Sequence, residues 1–203
     1  MTLPVVPVTR PSDIAGLTPQ QIGVCHLEKV YFPGVGHDSL HKLAARAWNA
    51  LAVAAVAESR WTLTCAGWGS ALRAFATQER AFYARYVDTY NPLTCQLKYQ
   101  RTYKGKRWYL KRGQIPCAVP GTGNHPLGLA VDGALYVNGK IVAWRGDAKF
   151  WTWLKANVVS FGFSFEIAEE GVDDPHIRYV AGDNVPQRVL DIENWLANAG
   201  GNP

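Results

Sequence analysis

Residues 40–55 carry the feature that most limits the fold. Leu40, Leu43, Ala44, Ala47, Trp48, Leu51, Ala54 and Ala55 recur at three- and four-residue spacing, which gathers them into one stripe on a helix. The spacing predicts a helix over 39–58 with Ser39 as its N-cap, and that stripe must be covered by other elements. The richest apolar run, ARAWNALAVAAVA (45–57), is broken by Arg46 and Asn49 and is too short to span a bilayer. It reads as core.

The segments available to cover it are short and mixed. Residues 60–66 (RWTLTCA) alternate apolar and polar like a strand. Residues 129–137 and 140–144 read as two strands joined at Asn138-Gly139, a strong hairpin turn. Residues 161–167 and 175–180 add strand-like runs, while 76–86, 147–159 and 187–198 have helical character. The fold class this predicts is α+β, a small and mostly antiparallel sheet packed with helices. With 203 residues, 48% of them hydrophobic, one compact domain buries enough to be stable. Residues 1–38 are rich in Pro and Gly with little periodicity, so they are expected as an extended N-terminal segment lying on a domain of residues 39–203.

Charge narrows the partners. A net charge of +5 favours an anionic one, such as cell-wall polymer, nucleic acid or lipid headgroups. The densest run, KYQRTYKGKRWYLKRG (98–113), interleaves basic and aromatic residues in a manner that also suits single-stranded nucleic acid. It reads more simply as a solvated hairpin turning at Lys104-Gly105-Lys106. Cys25, Cys65, Cys95 and Cys117 form no close pair of the kind that holds zinc, and they are expected as free thiols. The start, MTLPVVPVTRPSDIAG, lacks a charged head followed by an apolar core, so no secretory signal is expected.

The chemistry concentrates in GTGNHPLGLAVD (121–132). His125 and Asp132 lie seven apart, and on one straight strand they would face opposite ways. They converge only if the chain bends between them, and Pro126 and Gly128 are residue types that permit a bend. Of the five histidines, His125 and His176 alone sit beside strand-like segments in loops rich in turn and acidic residues. With Asp132 they form a His-Asp-His set, suited to a zinc ion that keeps one position for water.

GNHPLGLAVD resembles the S-x-H-x-x-G-x-A-x-D motif of the VanY-like zinc D-Ala-D-Ala carboxypeptidases, a family that includes peptidoglycan endopeptidases of phage lysins. RAFATQERAFYARY (73–86) resembles that family's R-S-x-x-x-Q segment, and DDPHIRYVAGDNVP (173–186) its final E-x-W-H region. The three matches fall in order and cover roughly residues 39–190. The resemblance implies a zinc DD-peptidase-like fold, Zn2+ held by His125, Asp132 and His176, and Arg73 steadying substrate or oxyanion. Gln78 reads as a structural hydrogen-bonding residue.

Two positions depart from the family. Gly123 stands where it has Ser, leaving Thr122 as the nearest hydroxyl. The family's catalytic Glu falls at Asp173, one methylene shorter; if 171–174 are an insertion, Glu170 takes that role instead. The resemblance implies a peptidase of peptidoglycan stem peptides, in particular the catalytic part of a phage endolysin. Such a chain is made in the host cytoplasm without a signal peptide and acts at the wall, with no nucleic-acid partner and no membrane insertion. A bacterial D,D-carboxypeptidase, or a wall-binding or virion module that has lost its base, stays open as an alternative. Oligomeric state stays open too.

Overall fold

The computed structural model describes residues 2–168, 171 and 175–200, with Ser59 described by its backbone alone. The striped helix, α1, runs Lys42–Ser59, and Ala44, Ala47, Trp48, Leu51, Ala54 and Ala55 are all buried along it. It begins three residues later than the spacing predicts. Ser39 and Leu40 belong to strand β2 (Gly36–His41), which pairs antiparallel with β1 (Leu27–Phe32). The N-cap is instead His41, whose Nδ1 accepts the Leu43 N–H at 3.3 Å. This hairpin crosses the expected boundary at residues 38 and 39. One face of it, with Val30, Phe32 and Leu40, packs into the main core.

The central sheet is built from β3 (Leu63–Cys65), β7 (Ala130–Val137), β9 (Phe163–Phe165) and β10 (His176–Tyr179), in the order β3-β7-β10-β9, with β8 (Lys140–Val142) also on β7. All its pairings are antiparallel. Helices α1, α3 (Ala148–Asn157) and α4 (Gln187–Asn198) contribute to the same core, so the molecule is α+β as its sequence pattern predicts. The β7–β8 turn has Asn138 and Gly139 at φ 49° and 78°, the left-handed pair that a two-residue hairpin needs. Strand β3 is shorter than the alternation over 60–66 predicts, and all three of its residues are buried. Thr64 is accommodated inside because its hydroxyl donates to the Pro33 carbonyl at 2.7 Å.

A smaller unit packs α2 (Phe75–Arg85) against β4 (Tyr86–Val87), β5 (Cys95–Tyr103) and β6 (Lys106–Lys111) around Phe82, Tyr86 and Leu110. The basic run forms the expected hairpin, turning at Lys104 and Gly105 with φ 51° and 72°. All four cysteines are free thiols; Cys65 and Cys95 are buried, and burial pushes the Cys65 thiol up to about 11. Among the described residues no helix is long and apolar enough to cross a membrane.

Residues 3–9 run extended along the sheet. The Leu3 N–H donates to the Ala168 carbonyl, the Phe165 N–H to Pro4, and the Val6 N–H to Ser164 Oγ at 2.7 Å. Thr9 then bridges Ala181 in parallel. This strap covers the side of β9 that lacks a strand neighbour.

Candidate metal centre

Asp132 is fixed by the sheet. Its backbone N–H donates to the Ser70 carbonyl at 2.7 Å, and its own carbonyl accepts from Ala66 N–H at 2.8 Å. On its other side it stands opposite His176 in the β7–β10 register. Directly opposed residues of an antiparallel pair project to the same face, so the register brings this carboxylate and this imidazole together.

His125 arrives by the bend. It opens a 3-10 turn, His125–Leu127, which ends on Gly128 at φ 68°. Only glycine suits that position, because a Cβ there would lie 2.6 Å from the backbone nitrogen of His41. The Gly128 carbonyl meanwhile accepts the His41 N–H at 2.8 Å, tying the bend to the start of α1. The chain thus reverses between residues 125 and 132, and both side chains reach one point.

Three ligand-type atoms meet there. His125 Nε2 lies 3.1 Å from Asp132 Oδ1 and 3.1 Å from His176 Nδ1, and the last two are 3.0 Å apart. Ligands on a tetrahedral zinc with bonds of about 2.0–2.1 Å sit about 3.3–3.4 Å from one another. The triangle matches to within a few tenths of an ångström.

The outward faces of the two rings fix their protons. His125 Nδ1 is 2.9 Å from the Ala71 carbonyl, which only accepts, so that nitrogen carries the hydrogen. His176 Nε2 is 3.0 Å from the Glu166 carboxylate, another acceptor. Each neutral imidazole then turns a lone pair inward, and the third inward atom is a carboxylate oxygen. Three acceptors at about 3 Å repel unless a cation lies among them. This donor set fits a divalent metal of the zinc type.

Burial raises the Asp132 carboxyl; if the two imidazoles were protonated towards it instead, their hydrogen bonds and charge would outweigh burial and hold the group far below the usual carboxylate range. The second oxygen of Asp132 accepts from Arg73 Nη2 at 2.7 Å. Arg73 also donates through Nε to the Gly69 carbonyl at 3.0 Å, so it braces the 66–74 loop against the ligand. For Glu166, the close approach of His176 lowers the carboxyl most, against an opposing effect of burial.

The structure therefore brings together His125, Asp132, His176 and Arg73. Glu170 and Asp173 lie outside the described residues. Glu166, just beyond β9, is a site residue that the sequence reading missed; its signal was its place opposite His176 on the neighbouring strand, which only the register reveals. Gln78 is buried and accepts the Gly121 N–H at 3.0 Å, holding the loop that leads to His125. Its amide fills the space that a side chain at Gly123 would enter. Thr122 does not replace the missing serine hydroxyl: it is exposed, and its Oγ1 donates to the Val119 carbonyl at 2.9 Å.

The comparisons with known proteins follow this geometry. Residues 37–182 match the family described as VanY: D-alanyl-D-alanine carboxypeptidase. A solved vancomycin-resistance D,D-pentapeptidase VanY mutant from the VanB-type cassette, in complex with Zn(II), superposes with a TM-score of 0.50 at 20% identity, covering 94% of this chain and 97% of that one. VanYB in complex with D-alanine-D-alanine gives a TM-score of 0.50 at 21% identity, covering 95% and 96%. Both show the same fold. No curated protein matches the chain. A match that runs from β2 through the sheet, takes in all three converging side chains and spans most of the 203 residues places this chain in the VanY D-alanyl-D-alanine carboxypeptidase family.

Proposed function

We propose that this chain is a zinc peptidase that cleaves peptidoglycan stem peptides, with His125, Asp132 and His176 as its metal ligands. The observation that carries the reading is the inward convergence of two imidazole lone pairs and one carboxylate oxygen, each set by an outer partner. A zinc ion there supplies a Lewis acid and brings the pKa of a bound water towards neutrality.

The protein's own groups do the rest. Asp132 contributes negative charge, and Arg73 holds its second oxygen so that one oxygen alone faces the centre. In this reading the charge of Arg73 favours the developing oxyanion of a peptide carbonyl, where fixed positive charge lowers the barrier most. A carboxylate in the sequence preceding β10 takes the proton from water and returns it to the leaving amine. That base is Asp173, or Glu170 if 171–174 are an insertion. Glu166 is not it, because it faces the ring nitrogen of His176 that points away from the ligand triangle. Residues 39–203 carry this peptidase domain, and the β1–β2 hairpin joins the segment before residue 39 to its core.

The finer reading is a phage endolysin, made in the host cytoplasm and released onto the wall. The charge of +5 suits an anionic substrate of this kind. A bacterial D,D-carboxypeptidase is favoured instead by the family's own description. Purified walls separate the two. An endopeptidase releases new amino termini on internal stem residues, whereas a carboxypeptidase releases free D-alanine, and mass spectrometry of the products tells them apart. Chelation abolishes either activity and zinc restores it. Asp173→Asn and Glu170→Gln, assayed separately, identify the base. Wild-type protein loaded with zinc that releases nothing from any wall refutes the peptidase reading and leaves a binding module.

A further inference from the structure

The strand register places more than the ligands around His176. Ile177 pairs with Phe165 and Arg178 with Ser164 across β10 and β9, so the next pair in the same register is His176 and Glu166. On the other side His176 pairs with Asp132. One imidazole therefore sits between two carboxylates, one on β7 and one immediately after β9. Asp132 faces its Nδ1 at 3.0 Å and Glu166 faces its Nε2 at 3.0 Å. Two rows on, Arg178 reaches Glu166 in turn. Arg178 Nη1 stands 4.0 Å from Glu166 Oε1, and Arg178 Nη2 donates to the Val6 carbonyl at 3.3 Å. Residues 3–9 are themselves anchored on Ser164 and Phe165, the residues immediately before Glu166.

We propose that Glu166 is a positioning residue for the metal centre. Its charge, 3.0 Å from His176 Nε2, keeps the ring's proton on that nitrogen, so the ring presents Nδ1 to the ion, and the N-terminal strap steadies it through Arg178. The proposal rests on the metal-centre reading above. A metal-bound histidine is held in one tautomer by the acceptor on its other nitrogen, and that acceptor also raises the ring's basicity. At this site an anion does so in place of a backbone carbonyl, the acceptor that serves His125. The two histidines are therefore unequal, and the carboxylate-backed one carries more of the ligand strength. Glu166 is 43% exposed, so solvent screens part of its charge, and its 3.0 Å approach to Nε2 is a charge contact rather than an aligned hydrogen bond.

The test measures zinc affinity by competition with a chromophoric chelator, for the full chain and for Glu166→Gln, Glu166→Ala and Glu166→Asp. Thermal unfolding of each metal-free protein runs alongside. Glu166→Gln is expected to bind zinc about 10- to 100-fold more weakly than wild type, the range that loss of such an outer partner produces. Glu166→Asp is expected in between, with metal-free midpoints close to wild type for both. If Glu166→Ala fails to fold, the isosteric Gln and the shorter Asp still decide. Equal zinc affinity in wild type and Glu166→Gln overturns the proposal and leaves the peptidase reading standing. A lowered metal-free midpoint with unchanged affinity assigns Glu166 a structural role and overturns it as well. A wild-type protein that takes up no zinc overturns the underlying reading, and this proposal with it.

Discussion

Gly133→Ala adds a single methyl group at the residue that follows Asp132. A Cβ at Gly133 would fall inside the six-membered ring of the Trp144 indole, so either the ring or the strand must give way. Trp144 is 1% exposed and belongs to the main core. Driving it out would forfeit roughly 150–250 Å² of burial, a ceiling of about 4–6 kcal/mol. Moving the strand instead costs about 1–3 kcal/mol, the usual range for one extra methyl in a packed core. The strand resists, because Gly133 pairs with Cys65 on one side and donates its N–H to the Pro175 carbonyl at 2.7 Å on the other. We expect a loss of about 3 kcal/mol, read from the urea midpoint of the metal-free protein. Weaker zinc binding should accompany it, since any strand shift carries Asp132 away from the two imidazoles.

A second substitution sharpens the expectation. Trp144→Phe removes the far ring atoms that a Cβ at Gly133 would strike, at a cost in burial of its own. The two changes together should therefore be less destabilising than the sum of the two alone, by about 1 kcal/mol or more. Strict additivity, or a Gly133→Ala protein within about 0.5 kcal/mol of wild type, would refute the reasoning that this indole fixes the strand beside the ligand.

Other outcomes follow from individual contacts. His125→Ala and His176→Ala should each abolish tight zinc uptake, measured by metal content after dialysis, while a fold intact by circular dichroism separates ligand loss from unfolding. Ser164→Ala strands the Val6 N–H that its hydroxyl accepts, and should cost about 1–3 kcal/mol with earlier proteolysis at the N-terminal strap. Asp147 caps α3 by accepting the Lys149 and Phe150 N–H groups, and its Ala variant should lose about 1 kcal/mol in chemical denaturation. The same cap sets a pH dependence. Its backbone hydrogen bond to Phe150 lowers the Asp147 carboxyl, so the stabilisation is complete above the ordinary carboxylate pKa of about 4 and fades as pH falls through the lower folded value. Asp147→Ala should lack that acid-side loss.

The sheet and helices were legible to different degrees. The α1 stripe and the Asn138-Gly139 turn are local signals, and both formed, although α1 starts at Lys42 and leaves Leu40 to β2. The β1–β2 hairpin was not legible. Its strands carry charged and polar residues on the open face, and the Pro33-Gly34-Val35-Gly36 turn reads as a loop until the Phe32 and Leu40 side chains are seen in the core. That hairpin also took Ser39 out of the helix, since its backbone pairs with Lys29 rather than starting a turn. At the site, the bend at Pro126 and Gly128 allowed convergence without requiring it. Residues 66–72 gave no motif at all, although the Gly69, Ser70 and Ala71 carbonyls hold Arg73, Asp132 and His125 in turn. Main-chain acceptors have no residue type, so no sequence pattern announces them.

By itself, then, the chain's order of residues decided which side chains were chemically able to bind a metal, where the chain could bend, and which helix had to be buried. Only the tertiary structure decided that Asp132 and His176 stand opposite each other, that Glu166 lies against the second imidazole, and that residues 3–9 brace the strand behind it. The reason is physical. Bends and stripes arise from neighbours a few bonds apart, whereas strand register is settled by the packing of the whole sheet.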